Sequence, residues 1–151
     1  MVTQKKNKGF TIIEVVLVLA IAGLIFLMVF IALPAMQRGQ RDQARKNDVS
    51  LVATAVSNYT GSNRGKWPAD NKTLQEFTDE LSQNSEKEKV TINTSKPTSA
   101  TPEESEITVY TGMKCGNSSK DKQELTAGSR RQFVVVTKLE AGGGAYFCQE
   151  S

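Results

Sequence analysis

Val15–Met36 contains no charged side chain, and this stretch limits what the chain can fold into more than any other feature. Folded as an α-helix, these 22 residues would extend about 33 Å, enough to cross the hydrocarbon core of a bilayer. Glu14 lies directly before the stretch, and Lys5, Lys6 and Lys8 precede it. Because a carboxylate without a partner is costly in hydrocarbon, Glu14 indicates a specific role at this position.

The residues around Glu14 form a motif. From Lys5 they read Lys-Lys-Asn-Lys-Gly-Phe-Thr-Ile-Ile-Glu-Val, a basic leader that ends in glycine and continues into an apolar segment. Together with the Val-, Leu-, Ile- and Ala-rich residues up to Gly23, this pattern resembles the class III signal and N-terminal helix of type IV pilins. These proteins are the subunits of bacterial surface filaments and of related secretion and DNA-uptake pseudopili.

The resemblance implies roles for three residues. In the family, a membrane peptidase cuts at the position that matches the bond between Gly9 and Phe10, and the new amino group of Phe10 is then methylated. Glu14 matches the acid that neutralises the amino terminus of a neighbouring subunit during assembly. At helical spacing, Phe10 and Glu14 would share one face of the helix, about 6 Å apart along its axis.

Two other interpretations of the N-terminus are open. An acid in the first turn of any helix is favoured by the helix dipole, by up to about 1 kcal/mol, so Glu14 would also suit an ordinary membrane anchor. A secretory signal peptide fits less well, because the apolar stretch exceeds a normal signal core and no small-x-small cleavage site follows it cleanly.

Charge separates the leader from the rest of the chain. The chain has 19 basic and 16 acidic side chains, and three of the basic ones lie in the leader, which leaves 16 of each sign in residues 10–151. A neutral mature chain gives no compositional case for nucleic-acid binding. The positive-inside rule does not settle the topology, because residues 38–46 are basic too. The resemblance implies an N-in, C-out protein of the inner or cytoplasmic membrane that becomes extracellular in the pilus.

On this interpretation the chain has four segments. Residues 1–9 are the leader peptide, and residues 10–36 are a hydrophobic helix that is transmembrane before assembly and lies in the filament core afterwards. Residues 37–60 continue the same helix as an amphipathic half. Residues 61–151 form a globular head.

The pattern predicts one helix from about Thr11 to Thr60. Pro34 removes a backbone donor and is expected to kink it, and Gly61 is expected to end it. The charged residues from Arg38 to Lys46 are expected to face solvent, with contacts to other subunits or to lipid headgroups as alternatives. The stripe on which the head can pack falls at helical spacing. It consists of Val49, Val52, Ala53, Val56 and Tyr59.

The head is expected to be a small α+β domain of type IV pilin-like fold, in which three to four antiparallel strands pack against the long helix. Residues 61–71 predict a loop with Trp67 as a plug beneath it, and Thr73 and Glu76 predict a capping box at the start of a helix that ends at Asn84. Ser95–Glu106 predicts an exposed loop. The predicted strands are Lys89–Thr94, Ile107–Thr111, Gln132–Leu139 and Ala145–Cys148, the last two joined by a turn at Glu140–Gly144.

Cys115 and Cys148 are the only cysteines of the chain. A head of this size buries a modest core, and a bond closing the loop between them would add roughly 3 to 4 kcal/mol of stability. We therefore expect a structural disulfide, which type IV pilins commonly have near their C-terminus. Free buried thiols are the alternative. A metal site is not expected, because the chain has no histidine and two sulfurs do not complete a zinc site.

The sequence predicts a structural subunit and no enzyme. It has no histidine, no Cys-x-x-Cys and no phosphate-binding glycine loop, so no catalytic residues and no cofactor are expected. The resemblance implies self-assembly into a helical filament for adhesion or twitching motility, after processing by a prepilin peptidase and methyltransferase. It also implies an assembly platform with motor ATPases as partners. The alternatives are a minor pilin, a pseudopilin of type II secretion or competence, and a single-pass anchored binding module.

Overall fold

The computed structural model describes residues 9–81, 89–140 and 143–151. The chain divides into two compact units, one that ends at Gln37 and one that comprises Arg38–Ser151. The first helix, α1, extends from Ile12 to Ser62, so the prediction of a single long helix is confirmed.

α1 ends later than the sequence predicts. Gly61 lies inside the helix, and the left-handed residues that follow it are Arg64 and Gly65, with φ of 56° and 79°. The N–H of Gly65 donates to the carbonyl of Thr60 at 2.7 Å. Gly65 therefore supplies the backbone conformation that closes a helix C-terminus, and the prediction of Gly61 as the stop was wrong.

The second helix, α2, comprises Asn71–Leu81 and begins earlier than expected. Oδ1 of Asp70 accepts a hydrogen bond from the N–H of Thr73 at 2.7 Å. Asp70 is therefore the N-cap, and the predicted capping box of Thr73 and Glu76 was wrong. The predicted helix end at Asn84 lies outside the described residues.

Four strands form the main sheet, in the order β1-β3-β6-β7. All neighbours are antiparallel except β1 and β3, which are parallel because the chain returns through a long connection before β3 begins. The four predicted strands are confirmed, and the expectation of a wholly antiparallel sheet was wrong for β1. The strands are β1 (Lys89–Asn93), β3 (Glu106–Thr111), β6 (Phe133–Lys138) and β7 (Tyr146–Glu150).

A second sheet of three strands was not predicted. Its order is β2-β5-β4, with antiparallel neighbours. The expectation that Ser95–Glu106 forms an exposed loop was wrong in part, since this segment contains β2 and buries Ala100 and Pro102. The strands are β2 (Ser99–Ala100), β4 (Met113–Ser118) and β5 (Gln123–Ala127).

The main sheet is buried on both faces. Val135 of β6 packs in one cluster with the α1 stripe, whereas its neighbours Val134 and Val136 pack in a second cluster with residues of the second sheet. This explains why β6 reads as a continuous apolar run rather than an alternating one. The predicted stripe is confirmed, with Val49, Val52, Ala53 and Val56 buried and Tyr59 half-buried.

Two pairs of aromatic rings pack edge-on in the head. Trp67 is half-buried and meets Phe133 edge-on, with 5.8 Å between ring centroids, which confirms it as a plug under its loop. Tyr59 of α1 meets Phe77 of α2 in the same geometry, at 5.8 Å. The head is thus an α+β domain with a pilin-like layout, in which a long helix packs on a small, mostly antiparallel sheet.

Side chains of α2 bind the outer edge of β1, the first of the two edge strands of the main sheet. Oε1 of Gln75 accepts a hydrogen bond from the N–H of Val90 at 2.8 Å. Oδ1 of Asn71 accepts one from the N–H of Ile92, also at 2.8 Å. The outward-facing amides of β1 are therefore bonded to side chains of the same chain.

Candidate functional site

The first half of α1 exposes apolar side chains on every face. Nineteen large hydrophobic side chains between Phe10 and Met36 are from 46% to 86% exposed. Soluble monomers rarely expose a contiguous apolar surface of this kind. Among the described residues, α1 alone is long and apolar enough to cross a membrane, and its most apolar 18-residue window has a mean hydropathy of 3.2. Such a surface is suited to lipid or to other apolar helices around it.

Glu14 closes the first turn of α1. Its Oε2 accepts hydrogen bonds from the backbone N–H and from the hydroxyl of Thr11, both at 2.9 Å. In return, the N–H of Glu14 donates to the hydroxyl oxygen of Thr11 at 3.4 Å. This reciprocal pair is a capping box, with Thr11 at the N-cap. Glu14 therefore has a role within its own chain, while its side chain stays exposed.

Phe10 precedes the helix rather than lying in it. Because α1 begins at Ile12, the helical spacing from which Phe10 and Glu14 were predicted to share a face does not apply to Phe10. Phe10 is 86% exposed, and no other group lies within 4 Å of the Cβ position of Gly9. The peptide bond between Gly9 and Phe10 is thus uncovered by the described part of the chain. The leader lysines lie outside it.

Pro34 lies inside α1, which continues through it to Ser62. Proline has no N–H, so one hydrogen bond of the helical ladder is missing at this position. The kink predicted there stays a prediction.

Charged side chains of α1 hold the residues that follow β6. Oε2 of Glu140 accepts hydrogen bonds from Nε and Nη2 of Arg41 at 2.9 and 2.6 Å, and its Oε1 lies 3.0 Å from Nη2 of Arg45. The N–H of Glu140 donates to Oδ1 of Asp42 at 2.7 Å. Arg45 also donates to the carbonyl of Lys138 at 3.2 Å. The hydrogen bond from Arg41, aided by the charge of Arg45, lowers the pKa of the Glu140 carboxyl.

This network corrects the expectation that Arg38–Lys46 is a solvated face. Asp42 and Arg45 are only 6% and 8% exposed. The signal for their burial was present in the sequence, because the two residues extend the spacing of Val49 and Val52 by further steps of three and four. Their charge alone favours an exposed position, whereas their place on the helix indicates burial.

Cys115 of β4 and Cys148 of β7 form a disulfide, with their Cα atoms 6.0 Å apart. The predicted bond is confirmed. It joins the second sheet to the last strand of the main sheet, and both cysteines pack against the cluster between the sheets. The bond therefore ties together two layers that are not paired by a strand ladder.

No group of three or more His, Cys, Asp or Glu side chains in the described ranges is arranged to hold a metal ion. The polar clusters that the fold assembles cap helices, seal an edge strand or fasten the turn after β6. These are structural roles.

One comparison with known proteins gives a match. Residues 4–30 match the family model described as the prokaryotic N-terminal methylation motif. No curated protein and no solved structure matches the chain significantly. The matched residues include Gly9, Phe10, Thr11 and Glu14. They point to a structural subunit rather than an enzyme, and they imply processing by a prepilin peptidase. With its methylation motif, its long exposed helix and its α+β head, the chain is similar to the precursors of type IV pilins and pseudopilins, which carry a class III signal peptide.

Proposed function

We propose that the chain is the structural subunit of a type IV pilus. It is cleaved after Gly9, methylated at Phe10 and polymerised through its N-terminal helix into a surface filament for adhesion, twitching motility or both. The observation that carries this proposal is that the methylation motif overlaps the start of a helix on which eighteen large apolar side chains are exposed. A helix that stayed in lipid as a simple anchor would not need that motif.

The apolar segment at residues 10–36 drives assembly. Before assembly it lies in the membrane, with the leader in the cytoplasm and the head outside. Once extracted, it is buried among copies of itself, and removal of its side chains from water favours association. The head at residues 61–151, packed on the amphipathic part of the helix, then forms the outer surface of the filament.

Glu14 sets the register of this assembly. Its Oε2 is bonded to Thr11, whereas its Oε1 accepts no hydrogen bond from any residue that the structure describes. The exposed carboxylate can therefore receive the methylated amino group of Phe10 from a neighbouring subunit. A buried carboxylate without a partner costs several kcal/mol, so subunits in a wrong register are disfavoured.

Two further functions share the N-terminal motif. A minor pilin or a pseudopilin of type II secretion or competence would be processed in the same way and would differ in abundance and in filament length. A single-pass anchored binding module would keep its leader and remain in the membrane. In each filament function the partners are the prepilin peptidase and methyltransferase and an assembly platform with its motor ATPases.

The intact mass of the protein in sheared surface appendages tests the proposal. The expected chain begins at Phe10, is heavier by one CH2 unit because a methyl group replaces a hydrogen, and is lighter by two hydrogens because of the disulfide. A full-length chain confined to the membrane would refute the proposal in favour of the anchored module. A processed chain found only in the membrane would favour the pseudopilin.

A further inference from the structure

Two carboxylates project from a fixed turn before β3. Glu103 and Glu104 are exposed, and no basic side chain within the described ranges forms an ion pair with either. The N–H of Glu106 donates to the carbonyl of Glu103 at 3.3 Å, and the N–H of Lys89 donates to that of Ser105 at 3.2 Å. We call residues 103–105 the acidic turn. Its backbone is held in place although its charges are unpaired.

Three cations lie beyond the other end of β3. Arg130 and Arg131 are the central residues of the turn Ser129–Gln132. In this turn the N–H of Ser129 donates to Oε1 of Gln132 at 2.7 Å. Lys96 packs against Gly112, with its Cε 3.4 Å from the Cβ position there. The N–H of Gly112 donates to the carbonyl of Gln132, the last residue of this turn, at 2.6 Å. We call Lys96, Arg130 and Arg131 the basic end.

Other charges near these two groups do not neutralise them. Lys89 is paired with Glu106 next to the acidic turn, at 3.5 Å. At the basic end, Lys114 adds a further exposed cation, and Oε1 of Glu150 accepts a hydrogen bond from the N–H of Cys115 at 2.8 Å. In the part of the chain that the structure describes, Lys96, Arg130 and Arg131 have no ion-pair partner.

The acidic turn and the basic end cannot pair within one chain. The acidic turn precedes β3 and Gly112 follows it, and a strand of this length separates them by about 20 Å. That distance is more than twice the Debye length of about 8 Å at physiological ionic strength, so their attraction within the chain is screened. A second copy of the chain carries both groups, so the counter-charge for each group is available on it.

We propose that the basic end of one head contacts the acidic turn of the head of another copy in the assembled filament. The proposal rests on the proposed function and identifies a contact between subunits outside the N-terminal helix. Such a contact joins two different surfaces of identical chains, and a contact of this kind that does not close on itself produces an open helical assembly. The acidic turn and the two arginines lie on turns that are held by hydrogen bonds, so little backbone order has to be gained there on contact. The opposite charges select the register.

A zero-length carbodiimide cross-link on sheared wild-type filaments tests the contact directly. The reagent joins the amine of Lys96 to the carboxylate of Glu103 or Glu104 only where the two groups touch. Within one chain they lie at opposite ends of β3, so the cross-linked peptide would come from two copies. Lys96→Arg keeps the charge and removes the reactive amine, so this variant is expected to assemble normally and to lose the cross-link. Absence of the cross-link in wild-type filaments would overturn the proposal.

Charge reversal tests whether the contact matters for assembly. Arg130→Glu with Arg131→Glu is expected to lower the sheared protein about tenfold, because like charges would then face each other. Lys120→Glu with Lys122→Glu changes the net charge equally at another turn and serves as the matched control. Adding Glu103→Arg and Glu104→Arg to the first pair is expected to restore filaments. Folding of each variant is checked by its amount in the membrane and by the mass of its disulfide-bonded form.

The outcomes separate this inference from the proposed function. If wild-type protein is absent from the sheared fraction, the proposed function fails before any variant is compared. If wild-type filaments form but the Arg130 and Arg131 variant assembles like its control, the contact is refuted. Loss of filaments that the four-residue swap does not restore also refutes it, and would point to a partner other than a second copy.

Discussion

The guanidinium of Arg41 lies 2.6 Å from the carboxylate of Glu140, although the two residues are 99 positions apart in the chain. Arg41 belongs to α1, and Glu140 follows β6, the strand that carries the cluster shared with the α1 stripe. The pair therefore fastens the end of a central strand to the helix on which the sheet packs. Arg45 also pairs with the carboxylate of Glu140, and Asp42 accepts a hydrogen bond from its backbone N–H. Adjacent residues of α1 thus hold both the side chain and the backbone of Glu140.

Glu140→Gln tests this attachment. It keeps the backbone donor to Asp42 and removes the charge that faces Arg41 and the buried Arg45. We expect a loss of about 1 to 3 kcal/mol in the free energy of unfolding, because the nearly buried Arg45 loses the opposite charge that lies 3.0 Å from its Nη2. Thermal unfolding of the detergent-solubilised protein measures it. Glu76→Gln, in an exposed pair with Lys72 at 3.7 Å, is the control, and equal shifts in both variants would contradict the prediction.

Stability should fall in acid. Hydrogen bonds lower the pKa of two carboxyls in the folded state, that of Glu140 through Arg41 and that of Asp70 through the N–H of Thr73. In acid, the folded protein therefore binds fewer protons than the unfolded chain. The stability that these two carboxylates contribute is complete above the ordinary carboxyl pKa, and it is lost as the pH falls through their lowered pKa values. We expect a nearly constant Tm from about pH 7 to about pH 5 and a decline below about pH 4. Glu140→Gln should flatten the decline, and an unchanged slope would argue against this origin.

Reduction of the disulfide should destabilise the head. The cysteines are 33 positions apart, and a loop of this size corresponds to roughly 3 to 4 kcal/mol of stability in the chain-entropy model. We expect dithiothreitol to lower the Tm of the wild-type protein by an amount similar to the double variant Cys115→Ser with Cys148→Ser. The double variant itself should not respond to dithiothreitol. A response in that variant would show that the reagent acts elsewhere.

Three variants separate the two roles of Glu14. Glu14→Ala should be processed and methylated but should assemble poorly, because it lacks the charge that receives a neighbouring amino group. Glu14→Gln can still cap the helix, since glutamine serves at this position of a capping box, and it should assemble as poorly as the alanine variant. Thr11→Val removes the capping hydroxyl and keeps the charge, so it should retain most assembly. The amount of sheared protein measures each, and abundant normal filaments from Glu14→Gln would refute the assembly role.

The parts of the fold that were predicted are those with a local signature. The α1 stripe is predicted by its helical period, and β6 is predicted by its run of apolar residues. β4 and β5 lack such a pattern, because their residues are mostly polar or small. The two strands pair with each other, β5 also pairs with β2, and Cys115 of β4 is bonded to Cys148 of β7. Strand propensity depends on such neighbours more than on the residue itself.

The candidate site shows the same division. Glu14 and the two cysteines were found because each is singular in its surroundings, an acid beside an apolar run and the sole pair of thiols. The partnership of Arg41 with Glu140 is a tertiary contact that nothing near either residue indicates. The choice of Asp70 over Thr73 as the α2 cap is similar, because both residue types are good N-caps and only the docking of the helix decides between them.

In the proposed filament, neighbouring subunits would hold their heads at high local concentration, a condition in which exposed strand edges pair between molecules. Asn71 and Gln75 occupy the amides of β1, so a strand from a neighbouring head finds no donors at Val90 and Ile92. On the opposite edge, the hydroxyl of Ser118 donates to the carbonyl of Tyr146 in β7 at 2.7 Å. Strand addition at β1 is thereby disfavoured, and one outward carbonyl of β7 is also occupied. If the proposed filament forms, it would have to grow through surfaces other than the β1 edge.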